Sequence, residues 1–213
     1  MSAVQRNQTA GGKLKIGVLI SGSGTNLQAI IDEILAGRLD VEISLVISSR
    51  PDAKGLERAA RVGIPTLSLS KELYADPSVA NELIATELVK YHVDYVVMAG
   101  YMRMLTNEVL MMFPGRILNL HPALLPSFKG AHAIEDAFAY GVKVTGVTVH
   151  FADATYDTGA IIAQEPVIIR EDDTLETLEA RIHSVEHELY PRVLQWLVED
   201  RVVLLDDRRV EIR

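Results

Sequence analysis

Cysteine is absent from the 213 residues, which excludes disulfides and thiolate chemistry and fits a reducing compartment. No apolar run reaches the roughly 18 residues of a membrane-spanning helix. The first twelve residues, Met1 to Gly12, are polar and small and hold no apolar signal-peptide core. They are expected to be a disordered extension (1–12) ahead of one folded unit (13–213), in a cytoplasmic protein without a membrane partner. Cations are scarce: 21 Lys and Arg stand against 29 Asp and Glu, for a net charge of −8. That balance argues against a nucleic-acid partner, which needs clustered basic side chains. A small anionic ligand stays open, because amides at a helix start bind a phosphate without any cationic side chain. Two catalytic signatures are also missing. No Lys-Ser/Thr pair follows the first glycines, so there is no Walker loop, and without Gly-x-Ser-x-Gly there is no serine-hydrolase elbow.

What is present is an alternation of apolar runs with helical spacing. Leu14–Ile20 reads as a strand. Leu27, Ile30, Ile31, Ile34 and Leu35 follow at helical spacing, with Gly37 suited to the helix end. Strands are expected at Val41–Ile47, Thr66–Leu69, Asp94–Ala99 and up to Asn119, and helices at Leu56–Val62, Ser78–Tyr91 and His132–Tyr140. A further helix should start at Thr106 as its cap. Val144–Phe151 and Ala160–Ile169 are β-branched strands. Leu175, Leu178, Ile182, Val185, Leu189, Val193 and Leu197 make one stripe of a long helix, and Val202–Leu205 is a short last strand. The pattern predicts a single-domain α/β fold, a mainly parallel twisted sheet with helices on both faces. The connections at 121–131 and 151–159 are long enough to be functional loops.

Ser21-Gly22-Ser23-Gly24-Thr25-Asn26 joins the first strand to the first helix. It suits either close backbone approach to an anion or a tight turn with an Asn or Thr cap. Gly22-x-Gly24 matches two glycines of a dinucleotide fingerprint, with Leu27 where the third belongs. Ser48-Ser49-Arg50 after the second strand would suit NADP, so a reductase is a rival reading.

Asn119 and His121 end an apolar run, two residues apart, and so share one strand face. Pro122 biases His121 toward extended backbone, and Pro122-Ala123-Leu124-Leu125-Pro126 is stiff and apolar. Asp157 lies in a loop of small residues that can reach another strand end. A carboxylate beside His121 is expected to raise its pKa and fix its tautomer, and the Asn119 amide to donate to a developing oxyanion. No strong protein nucleophile is evident, so the nucleophile should arrive with the substrate, as in acyl transfer to an amine. The rival readings are loop anchoring and a metal site of His121, His150 and Asp157. His150 reads as a packed or supporting residue and His92 as surface.

Taken together, Ser21–Gln28, Ala99-Gly100-Tyr101-Met102-Arg103, Asn119-Leu120-His121-Pro122, Gly130-Ala131-His132, Gly146–Phe151 and Asp157-Thr158-Gly159 resemble the phosphoribosylglycinamide formyltransferases. The resemblance runs from about Lys13 to Leu205. It implies the formyltransferase fold, with a Rossmann-like N-terminal half, and formyl transfer from 10-formyltetrahydrofolate to glycinamide ribonucleotide in purine synthesis, without a metal. It places the substrate phosphate at Gly24, Thr25 and Asn26, and a substrate contact at Glu186, whose bland alternative is a solvated helix charge. It places the folate at Met102, Arg103, Met104 and Leu105, with Asn119, Asp153 and Asp157, and catalysis at Asn119, His121 and Asp157. Formyltetrahydrofolate deformylase shares the Asn/His/Asp set with water as acceptor, but adds an N-terminal domain. Methionyl-tRNA formyltransferase needs further C-terminal surface and positive charge. Two departures stand out. Ala131 occupies a place where a larger apolar residue is common, and the Arg expected near Ala75–Ser78 for the folate tail has no match, leaving Lys71 as a substitute. A monomer or a homodimer is expected.

Overall fold

The computed structural model describes residues 12–206 and 208–213, so all but Gly12 of the expected extension lies outside the described residues. Strands β1 (Leu14–Ile20), β2 (Val41–Ser48), β3 (Thr66–Ser68), β4 (Tyr95–Met98), β5 (Ile117–His121), β6 (Val144–Phe151) and β7 (Ile161–Ile168) form one sheet in the order β3-β2-β1-β4-β5-β6-β7. The first five run parallel, and β6 and β7 are antiparallel. Helices α1 (Thr25–Leu35), α2 (Lys54–Arg61), α5 (Ala133–Tyr140) and α6 (Leu175–Val198) accompany the strands, as do α3 (Pro77–Lys90) and α4 (Asn107–Leu110). Two separate apolar clusters show that both faces are covered. One joins α1 and α6 to β1 through Leu27, Ile30, Ile182 and Leu189, and the other seats α3 and α4 through Ile84, Leu88 and Val109. The predicted mainly parallel sheet with helices on both faces is the observed architecture.

Local signals explain the element ends. Asp76 caps α3, accepting from the Ser78 amide at 3.0 Å, and Pro77 occupies the first turn. Thr174 and Thr177 form a reciprocal capping box on α6. Gly141, at φ 82°, ends α5. The α4 expectation needs correction: Thr106 stands at the cap position, yet its hydroxyl donates to the Glu108 carboxylate rather than accepting from the helix backbone. The α2 and α3 patterns each begin one or two residues earlier than expected, and β5 continues through His121. A second strand, β9 (Val210–Ile212), pairs antiparallel with β8 (Val202–Leu204) in a small separate sheet.

The site is positioned by strand order. After β1 the chain builds β2 and β3 on one side, then crosses to place β4 on the other. The loops leaving β1 and β4 therefore diverge at the sheet's carboxyl edge and open a crevice there. The opening is a cleft of about 640 Å³ walled by the Ser21–Asn26 loop, Ala99, Gly100, Met102, Arg103, Pro122 and α6.

Candidate active site

The glycine loop is shaped from beneath by α2. The Gly55 amide donates to Gly22 O at 3.1 Å, and Arg58 Nε donates to Ser23 O at 2.8 Å. Gly24 is left-handed at φ 68°, and a Cβ there would sit 2.6 Å from Gly55 Cα, so glycine is required on two counts. No side chain caps α1. Neither Thr25 nor Asn26 caps this turn, and Gly24, Thr25 and Asn26 line the cleft. Asn26 Nδ2 donates to Glu186 Oε2 at 2.9 Å, and the same oxygen lies 2.9 Å from His183 Nδ1. Glu186 is 4% exposed and part of the cleft wall, not a solvated helix charge. This pairing raises the His183 pKa, the Glu186 hydrogen bond outweighing burial.

Asn119, His121 and Asp157 do meet. His121 Nδ1 lies 3.5 Å from Asp157 Oδ2, and Asn119 Nδ2 lies 3.4 Å from Asp157 Oδ1. The Gly130 amide donates to Oδ2 at 2.9 Å, tying the 121–131 loop to the carboxylate. Asp157 itself is left-handed at φ 52°, a conformation that costs about 1 kcal/mol or more in a non-glycine residue. His121 Nε2 donates to Phe128 O at 2.8 Å, which leaves Nδ1 facing the carboxylate.

His150 belongs to this cluster more closely than its sequence context indicates. It pairs with Asn119 across β5 and β6. Its Nδ1 donates to Phe151 O at 2.8 Å, so Nε2 accepts from Asn119 Nδ2 at 3.1 Å. Both protons of the Asn119 amide are therefore engaged, one by His150 and one by Asp157. The Asp157 contact is the longer of the two. The signal that could have found His150 is its place across the ladder from Asn119, legible only once β6 is known to run antiparallel beside β5.

Electrostatics correct one expectation. Burial is the largest influence on His121 and pushes its pKa below the ordinary 6.5; the Asp157 charge and the Phe128 carbonyl raise it and do not compensate. Asp157 is also buried, which raises its pKa. The contact with His150, the Gly130 amide and the nearby imidazoles outweigh that and hold it below 3.8. Burial thus reverses the upward shift expected from the carboxylate alone. By NMR, the His121 titration midpoint should lie below 6.5, and lower still in Asp157→Asn, because the substitution removes the charge that opposes burial. A midpoint above 6.5 would contradict this account. The unfolded chain binds the His121 proton more readily than the folded one, so this group's contribution to stability falls as pH drops from 6.5 through the folded value.

Of the remaining predicted residues, Arg103, Met104 and Leu105 line a second, narrow cleft of about 30 Å³ with Asn119, Asp153 and Asp157, whereas Met102 lines the larger cleft. Leu105 is buried, whereas Met102 and Met104 are 66% and 44% exposed. The Arg103 guanidinium stacks over Tyr74 at 4.8 Å. Asp153 accepts from the Thr155 amide at 2.9 Å and the Thr158 hydroxyl at 2.8 Å, which shapes the loop that carries Asp157. Lys71 is exposed, and Ala131 lines the larger cleft. Arg50, on which the reductase reading leaned, is engaged by Asp52 through two hydrogen bonds of 3.0 and 2.7 Å. Among the described residues no His, Asp and Glu side chains group so as to hold a metal ion, and no helix is long and apolar enough to cross a membrane.

The formyl transferase family profile matches residues 14–194. Phosphoribosylglycinamide formyltransferase of Bacillus subtilis is 40% identical over 184 residues, which is 86% of this chain and 94% of that protein. The trifunctional purine biosynthetic protein adenosine-3 of Chironomus tentans is 44% identical over 198 residues; this chain is matched over 92% of its length but spans only 14% of that longer protein. The crystal structure of glycinamide ribonucleotide transformylase 1 from Symbiobacterium toebii superposes with a TM-score of 0.91 at 46% identity, covering 97% of this chain and 98% of that one. A formyltetrahydrofolate deformylase from Pseudomonas syringae shares the fold at 25% identity, and 66% of its chain is covered.

Proposed function

The chain belongs to the formyl transferase family, and from that premise we propose that it moves the formyl group of 10-formyltetrahydrofolate onto the amine of glycinamide ribonucleotide. The observation that carries the reading is the placement of Asp157. Its carboxylate meets Asn119 and His121 at the end of β5, and a cleft of about 640 Å³ lined by the neighbouring Leu120 and Pro122 extends to an uncapped helix start.

In this reading the acceptor phosphate sits on the amides of Gly24, Thr25 and Asn26, and Glu186 receives a donor group from the same molecule. The folate lies along Met102, Arg103, Met104 and Leu105, against Asn119, Asp153 and Asp157. The cleft there is narrow, about 30 Å³, so a bicyclic pterin would also occupy the adjoining space along the 102–105 segment. The neutral amine then attacks the formyl carbon. The carbonyl oxygen becomes an oxyanion that receives a hydrogen bond from the Asn119 amide, and a second from His121 Nδ1 only in the imidazolium form, since Nε2 already donates to the Phe128 carbonyl. Each such donor contributes about 3 kcal/mol at the transition state. Asp157, already ionised, accepts the proton the amine sheds as the new C–N bond forms. The proton passes to the folate nitrogen as the old C–N bond breaks. No residue of the protein forms a covalent intermediate, and no step uses a metal.

Residues 13–213 act as one formyltransferase unit in this proposal and 1–12 as an appendage. The partners are the two small molecules, with neither nucleic acid nor membrane; the net charge of −8 supports the first exclusion. The setting is cytoplasmic and the protein a monomer or homodimer. The test is folate release from 10-formyltetrahydrofolate, followed with and without glycinamide ribonucleotide. Release is expected only with the nucleotide, matched by formylated product. Release that ignores the nucleotide would mark a deformylase, and no release at all would end the formyltransferase reading.

A further inference from the structure

The segment 101–105 has no regular secondary structure, yet it walls both clefts. Its shape therefore depends on side chains from other elements. Two of them come from the α3 side of the sheet. Tyr74 meets Tyr101 hydroxyl to hydroxyl at 2.7 Å, and Asn81 donates to Met104 O at 3.5 Å and accepts from the Thr106 amide at 3.1 Å. A third comes from the glycine loop. The Met102 amide donates to Ser21 Oγ at 2.8 Å, and Ser21 Oγ lies 2.6 Å from Ser49 Oγ.

Ser21 and Ser49 are 6% and 4% exposed, so water does not compete for these bonds. Ser49 is itself fixed, its amide donating to Ile20 O at 3.0 Å. Ser21 thus has a defined rotamer, with one lone pair committed to Met102. It is also the first residue of the loop whose amides would hold the acceptor phosphate. Strand order makes the contact short: β1 and β4 are neighbours, the Ala99 amide donates to Leu19 O at 2.9 Å, and Gly100, at φ 74°, then turns the chain across the loop.

We infer that Ser21 is a positioning residue that couples the two substrate subsites: its bond to the Met102 amide ties the acceptor's phosphate loop to the start of the segment whose next residues, Arg103, Met104 and Leu105, wall the folate cleft. The inference rests on the formyltransferase reading for the identity of the two ligands. Filling the loop restrains Ser21, which restrains Met102 and with it the surface the pterin must meet. Linkage is reciprocal, so folate must tighten nucleotide binding by the same factor.

The experiment uses the full chain, with glycinamide ribonucleotide and unformylated tetrahydrofolate as non-reacting probes. Amide hydrogen exchange is read for 22–26 and 101–105 with the nucleotide alone, and the Kd of tetrahydrofolate is measured with and without it. In the natural protein the nucleotide should slow exchange in both segments and tighten tetrahydrofolate by roughly fivefold or more. In Ser21→Ala, protection of 22–26 should persist, that of 101–105 should vanish, and the coupling should fall to within about twofold of none. Protection confined to 22–26 in the natural protein, or unchanged coupling in Ser21→Ala, would overturn the inference while leaving the proposed function intact. Absence of protection at 22–26 in the natural protein would instead strike at the proposed function. If Ser21→Ala lacks a cooperative melting transition, the natural protein's two-segment readout decides alone.

Discussion

Asp157→Asn should lower turnover by roughly a thousandfold with little change in affinity for the nucleotide. Asparagine preserves the shape of the side chain and an oxygen for the Gly130 amide, which now donates at 2.9 Å, so the 121–131 loop keeps its anchor. What is lost is the negative charge and the ability to take a proton. With the oxygen kept for the Gly130 amide, the nitrogen of the new amide would take the other position and face Asn119 Nδ2, whose carboxylate partner now stands at 3.4 Å. The carboxylate that would take the amine's proton, and that holds the Asn119 amide beside the reacting atoms, would then be gone. The phosphate loop is a separate element, leaving β1 and supported by α2, so nucleotide binding has no reason to follow turnover down. Steady-state kinetics with calorimetric binding of the nucleotide would check both halves. Near-normal turnover would remove Asp157 from the proposed mechanism, and a parallel loss of nucleotide affinity would show a structural rather than a chemical effect.

The second large effect is expected at Gly159. A Cβ there would stand 1.8 Å from Phe151 O and 2.9 Å from Phe151 C. These are backbone atoms and cannot rotate away. That same carbonyl accepts the His150 Nδ1 proton at 2.8 Å, and His150 in turn holds the Asn119 amide at 3.1 Å. Gly159→Ala should therefore destabilise the fold by about 2–3 kcal/mol, the upper range of overpacking. It should also cost activity in the fraction that remains folded, by displacing both the Asp157 loop and the His150 support. Gly22→Ala is the control for stability, since a Cβ there meets nothing within 4 Å. Denaturant unfolding of the two variants should separate them clearly; equal midpoints would show that the Phe151 strand yields more readily than its ladder with β7 implies.

Much of this architecture is legible in the residues because local patterns and tertiary demands agree. Leu14–Ile20 and Val144–Phe151 are read to the residue, since runs of β-branched and aliphatic residues bounded by polar turns have few alternatives. The gathering of Asn119, His121 and Asp157 is also legible, from strand alternation and from the family motifs. What is not legible depends on partners brought from afar. The imidazole of His121 reads as an acid because a carboxylate is near. Its burial, and the Phe128 carbonyl that claims Nε2, appear only when the 121–131 loop closes over it. Thr106 reads as a cap by residue type, and a Glu108 carboxylate two residues on competes for its hydroxyl. The short β9, with Glu211 between Val210 and Ile212 and arginines around it, carries too little apolar pattern to announce itself.

The reversal of strand direction between β5 and β6, with Asn119 set opposite His150, has a further consequence for how such a protein can diversify. In the proposed reading the parallel part of the sheet, with its glycine loop, receives the acceptor, and the antiparallel hairpin, with His150 on one arm and Asp157 in the connection to the next, handles the group that is transferred. Ancestral changes of acceptor could then accumulate around β1 and the facing side of α6 while the hairpin was inherited almost whole. The deformylase that shares this fold at 25% identity is consistent with such a history, one in which a catalytic cassette outlasts the binding surfaces grafted beside it.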